Sequence, residues 1–251
     1  MRVPLSALIT AVSLATSVAA AEADTLVQAA LVAETAQESG KALELLLRAD
    51  WIRSDDPRIL QKIARQYSDL VVDQADNEGK KNFAQTALDY SERAVALNPQ
   101  DPVNVLSLAV CHGKLALYSD TRTKVRYSHL VREEAERALA LDPNYAWAHH
   151  VLGRWHCEVA ALGATARLFA GMLYGGLPAA SIEESVRHLR QAARLEPTEL
   201  NHFVDLGCAY AAAKQFPLAR VQLEHGLAMP SRGRHDEPAK LRARETLARL
   251  D

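Results

Sequence analysis

The sequence predicts an all-α protein of helical hairpins packed side by side, and three observations carry that expectation. Across 251 residues, 49% are hydrophobic while Gly, Pro and aromatics are sparse, and the abundant Ala, Leu, Arg, Glu and Gln favour helix. Few runs are rich in the Val, Ile and Thr that strands prefer. Finally, helix-ending prolines recur at Leu97-Asn98-Pro99, Leu141-Asp142-Pro143 and Leu195-Glu196-Pro197, with Ala94, Ala138 and Ala192 each five residues ahead. A residue before proline is pushed out of α conformation, so each proline marks a helix end and a turn into the next helix.

The first element, residues 1–21, reads as a cleavable secretory signal. Arg2 supplies a positive n-region, Val3 to Val18 is apolar, and Ala19-Ala20-Ala21 offers cleavage sites before Glu22. The run is short of the roughly 20 strongly apolar residues of a spanning helix. An exported protein, periplasmic or secreted, is therefore expected.

Residues 24–53 form a helical pair, Thr25 to Glu38 and Lys41 to Ala49, split by Ser39-Gly40. Ser54-Asp55-Asp56-Pro57 then caps a helix that runs to about Ala75, with a side-chain acceptor ahead of a proline in the first turn. From here to Pro230 the chain aligns with itself. The last unit reads Phe203-x-x-Leu206-Gly207-x-x-Tyr210, then Ala219, Leu223, Gly226 and Pro230. That is close to the tetratricopeptide pattern. Gly207 and Ala219 are small where two helices approach closely, whereas Leu206, Tyr210 and Leu223 fill the space between them.

Earlier units keep the phase. One has Leu152-Gly153 and His156, then Ser185, Leu189, Ala192 and Pro197; another has Leu108-Ala109 and His112, then Val131, Ala135, Ala138 and Pro143. Residues 57–230 are thus expected to form a repeat array winding as a right-handed superhelix. Successive prolines are 44, 54 and 33 residues apart, and only the last interval matches the standard period of about 34. The middle units therefore carry insertions near 116–129 and 157–180, both expected to lengthen hairpin arms. A final helix over 238–251, with Lys240, Arg242, Arg244 and Arg249 on a polar face, suits the cap that a stacked array needs.

Chemistry is sparse. A net charge of −2 gives no field for nucleic acid, so no such partner is expected. Cys111, Cys157 and Cys208 sit inside helical patterns as small apolar residues. No nucleophile beside a base, Gly-rich phosphate loop or HExxH helix is found, so no enzyme, catalytic residue or cofactor is expected. His149, His150, His156 and Cys157 raise zinc binding. Adjacent His149 and His150 point about 100° apart, however, and no two ligand types stand at i, i+4 on one face. No metal site is expected there.

The segments Ile63-Ala64-Arg65-Gln66-Tyr67-Ser68-Asp69 and Leu152-Gly153-Arg154-Trp155-His156-Cys157-Glu158-Val159, with the apolar insertion that follows, resemble the regulator of microtubule dynamics family over about residues 25–250. The resemblance implies a tetratricopeptide fold, association with microtubules and phospholipid binding by the repeat domain. A cleavable signal, by contrast, points to a compartment without tubulin.

In this repeat geometry the first helix of each hairpin lines a concave groove. Its expected binding positions are Lys114, Trp147, His150, Arg154, Glu158 and Asn201, with Leu106, Val110, Val204 and Cys208 between them. Trp147 and Arg154 are the residue types that dominate interaction surfaces. Arg154 has the bland alternative of an ion pair with Glu158. Trp155 and His156 are expected in the core. Leu168, Phe169, Met172, Leu173 and Tyr174 form a candidate apolar docking flap. The expected partner is a protein or peptide segment, and the alternative is a phospholipid.

Overall fold

The structure, a computed structural model, describes residues 5–163, 171–172 and 176–250, with side chains from residue 19 onward. Every regular element among the described residues is helical, as the sequence predicts. The chain divides into two compact units, 1–99 and 100–251.

The first unit holds α1 (Leu5–Thr35), α2 (Ser39–Ile52), α3 (Pro57–Leu70) and α4 (Asn77–Leu97), with a 3-10 turn at Val71–Asp73. Of the expected leader, residues 1–4 lie outside the described residues and the remainder begins α1. No described helix is long and apolar enough to cross a membrane. The α1–α2 turn falls at Gln37, not at Ser39-Gly40, which lie inside α2. Gln37 takes a left-handed φ of 61°; its N–H donates to Glu34 O and the Glu38 N–H to Ala33 O, both at 2.9 Å, closing a Schellman motif. That backbone arrangement satisfies the helix end without a glycine. Leu26, Ala30, Ala33, Ala42, Leu46, Ala49, Ile59 and Ile63 make the core of this unit. The expected cap of α3 is in place: Asp56 Oδ1 accepts from the Arg58 N–H at 2.9 Å, with Pro57 in the first turn.

The second unit contains hairpins α5 (Pro102–Leu117)/α6 (Thr121–Leu141), α7 (Ala146–Ala160)/α8 (Ile182–Leu195) and α9 (Leu200–Ala212)/α10 (Phe216–Ala228), then α11 (Asp236–Leu247). Each expected proline follows a helix end by two residues: α4, α6, α8 and α10 stop at Leu97, Leu141, Leu195 and Ala228. The Leu-Gly pairs mark the seams. A Cβ on Gly153 would lie 2.5 Å from Leu189 Cγ, and one on Gly226 would lie 2.7 Å from Val204 Cγ2. Trp155 is buried, its indole N–H donating to Ser128 O at 2.9 Å, and His156 is buried beside it. Both core expectations hold.

The two expected insertions fall in the α5/α6 and α7/α8 hairpins. The one near 116–129 lengthens the arms, giving α6 its 21 residues. In the one near 157–180, α7 stops at Ala160 and α8 starts at Ile182, and residues 164–170 and 173–175 lie outside the described residues. The final helix begins at Asp236 and packs on α9 and α10, burying Ala239 and Ala243.

Candidate functional site

One buried carboxylate organises the second unit. Asp205 on α9 is 7% exposed and is approached from two other helices. The Arg242 Nη2 of α11 donates to its Oδ1 at 3.2 Å. Its Oδ2 lies 3.7 Å from Arg154 Nε and 3.3 Å from His150 Nε2, both on α7. Burial opposes ionisation of Asp205, but the charges of Arg154 and Arg242, and of His150 once it is protonated, outweigh it and hold the carboxyl below its usual range. Its Oδ2 has ion-pair neighbours but no hydrogen-bond partner among the described residues.

Beside this carboxylate lies a pair of imidazoles. His150 Nδ1 and His202 Nδ1 are 3.0 Å apart, so one ring donates and the other accepts. Burial drives both down, His150 to about 4 and His202 to about 3. Both are therefore neutral near pH 7. Trp147 contacts the two rings edge-on, with centroids 5.0 and 4.9 Å away. Arg242 also lines an open cavity of about 490 Å³ with Cys208, Phe216, Glu245, Thr246 and Arg249.

A second cluster occupies the α7/α8 hairpin. His156 of α7 and Glu184 and His188 of α8 bring donor atoms within 4.8 Å of one another, and His149 Nδ1 stands 2.9 Å from His188 Nδ1. Glu184 and His188 are an i, i+4 pair on a single helix.

These hairpins have known counterparts. The family described as Regulator of microtubule dynamics protein 1-3 matches residues 20–251. The chain belongs to that family. It is similar to regulator of microtubule dynamics protein 3 of Xenopus laevis, at 29% identity over 161 residues, which is 64% of this chain and 35% of the relative. Regulator of microtubule dynamics protein 1 of Mus musculus is 25% identical over 215 residues, 85% of this chain and 70% of the relative. The chain thus spans about a third of the Xenopus relative's length. A thermophilic tetratricopeptide protein from Thermus thermophilus superposes with a TM-score of 0.69 at 17% identity, covering 90% of this chain and 99% of that one. The likeness to that structure is one of fold.

Within this family member, the expected groove residues have separate fates. Trp147, His150 and Arg154 converge on the α9 network. Arg154 and Glu158 are exposed and paired at 2.8 Å, the alternative weighed for Arg154, although its guanidinium also reaches Asp205. His150 is buried beneath the surface. Asn201 is buried too, its Nδ2 donating to Asp236 Oδ1 at 2.9 Å and so tying the start of α9 to that of α11. Lys114 sits half-buried in the last turn of α5. Met172 is exposed, whereas Leu168, Phe169, Leu173 and Tyr174 lie outside the described residues.

Sequence reasoning passed over Asp205, His202, Glu184 and His188, and assigned Arg242 to the cap alone. Matching Leu206-Gly207 to Leu152-Gly153 sets Asp205 against Val151, so an acid on a helix that buries most of its faces was the available signal. The search for metal ligands stayed on α7, whereas the i, i+4 pair lies on α8.

Proposed function

We propose that the protein is a non-catalytic binding module whose α7–α9–α11 surface holds a segment of a partner protein. The observation that carries this reading is Asp205, a buried carboxylate with an unused acceptor lying under two partly exposed arginines. Burying an ionised group costs several kcal/mol, roughly, unless partners offset it. Arg154 and Arg242 supply that offset, and each guanidinium has donors left over for a guest carbonyl or carboxylate. Trp147 adds a partly exposed aromatic surface, and the adjoining cavity gives an apolar guest side chain somewhere to sit.

The test is a photo-activatable residue at Trp147, with Arg154→Glu and Arg242→Glu variants compared with the parent. Cross-links mapping to a single partner segment, and lost in Arg242→Glu, support the proposal. Cross-links unchanged by both charge reversals overturn it. Phospholipid co-purifying in native mass spectrometry would instead favour a lipid guest.

We further propose that residues 1–21 are removed on export, which places the module in the periplasm or outside the cell. The apolar run and the small residues at 19–21 support this. An intact-mass measurement beginning at Met1 in the mature protein contradicts it. The relatives' name suggests microtubules as a partner; co-sedimentation with polymerised tubulin tests that role directly, and export predicts no physiological encounter.

A further inference from the structure

We infer that His156, Glu184 and His188 form a binding site for a divalent transition metal of the zinc class. The donor set is what such an ion selects: two imidazoles and a carboxylate, from two helices. The three donor atoms already lie within 4.8 Å of one another. Metal–ligand bonds of about 2.1 Å require the cluster to close by roughly 1 Å, within the reach of side-chain rotation.

The surroundings fix the chemistry of His188. His149 Nε2 lies 3.1 Å from Pro143 O, which only accepts, so that nitrogen carries the proton. His149 Nδ1 is then an acceptor and takes the Nδ1–H of His188 across 2.9 Å. His188 Nε2 is left with its lone pair directed toward Glu184, 3.9 Å away. A metal-bound histidine oriented through its other nitrogen is the usual arrangement of such sites.

A competitor occupies the position. Arg187 bonds Glu184 and places Nη2 3.1 Å from His188 Nε2. Its side chain is 58% exposed and can swing into solvent, so an entering cation replaces one positive charge with two. The Ser181 N–H approaches His156 Nδ1 at a long 3.4 Å. Ligation through either nitrogen of His156 removes that acceptor, so metal binding also resets the chain entering α8.

Isothermal titration of untagged full-length protein with Zn²⁺ tests the site, with circular dichroism confirming that each variant is folded. One equivalent bound at micromolar affinity or better is expected. His188→Ala and the milder Glu184→Gln should each weaken binding at least tenfold, and His149→Ala about tenfold through lost orientation. Arg187→Ala should bind at least as tightly as the parent, an outcome a merely structural cluster would not give. Cobalt(II) should produce the intense visible bands of a four-coordinate ion. Absence of stoichiometric binding, or equal affinity in folded Glu184→Gln, overturns the assignment.

Discussion

Gly207 faces Leu223 so closely that a Cβ at residue 207 would lie 2.6 Å from Leu223 Cγ and 3.1 Å from its backbone nitrogen. The α9/α10 seam therefore closes on backbone, and no side chain fits there. Gly207→Ala gains helix propensity of about 1 kcal/mol but forces overpacking that costs about 1–3 kcal/mol. Because the backbone nitrogen cannot move aside as a side chain does, a net loss of about 1–2 kcal/mol is expected. Urea denaturation of parent and variant checks this, and a variant equal to or above the parent in stability contradicts it.

The His150–His202 pair makes stability depend on pH. Both rings are held below the ordinary value of 6.5, to about 4 and about 3. Above about pH 6.5 they are neutral folded or unfolded and contribute no pH dependence. As pH falls below 6.5 the unfolded chain takes up protons that the folded chain refuses, so stability drops until the folded values are reached. Each unit of depression is worth about 1.4 kcal/mol, so the loss between pH 7 and pH 4 amounts to several kcal/mol. Thermal melts over that range should show a falling midpoint, with a shallower slope in His202→Leu.

Asp205 holds α7, α9 and α11 together electrostatically. Asp205→Ala leaves Arg154 and Arg242 facing one another without their shared carboxylate and should cost about 2 kcal/mol or more. Both arginines reach solvent, which keeps the loss below that of a fully buried pair. Added salt should narrow the gap between variant and parent, since it screens the exposed cations.

Asp236 closes the turn before the last helix. Its Oδ2 accepts from the Arg232 and Gly233 N–H groups, each at 2.7 Å, while Oδ1 accepts from Asn201. Asp236→Ala orphans the Arg232 and Gly233 N–H groups, while Asn201 keeps its bond to Glu199, and should cost about 2 kcal/mol. Hydrogen exchange would show the loss concentrated over residues 231–247.

The hairpin pattern was legible because its signals are local. A proline two residues past a helix end, an aspartate ahead of Pro57 and a glycine opposite a leucine each state their structural reason within one repeat. Gln37 and Lys214 escaped notice because either can take the left-handed turn conformation that glycine usually marks, and the flanking backbone bonds supply the stabilisation. Asp205 was not legible for the opposite reason. Its partners come from residues 150, 154 and 242, and nothing in the repeat pattern ties those positions together.

The α7/α8 connection departs and returns at one end of its hairpin, where Ser181 comes back beside His156. A segment whose two ends lie close together imposes a closure entropy that grows only with the logarithm of its length. Related chains are therefore free to carry longer or shorter segments at this point while every seam of the stack stays as it is, giving the scaffold one place where recognition can diversify without renegotiating the fold.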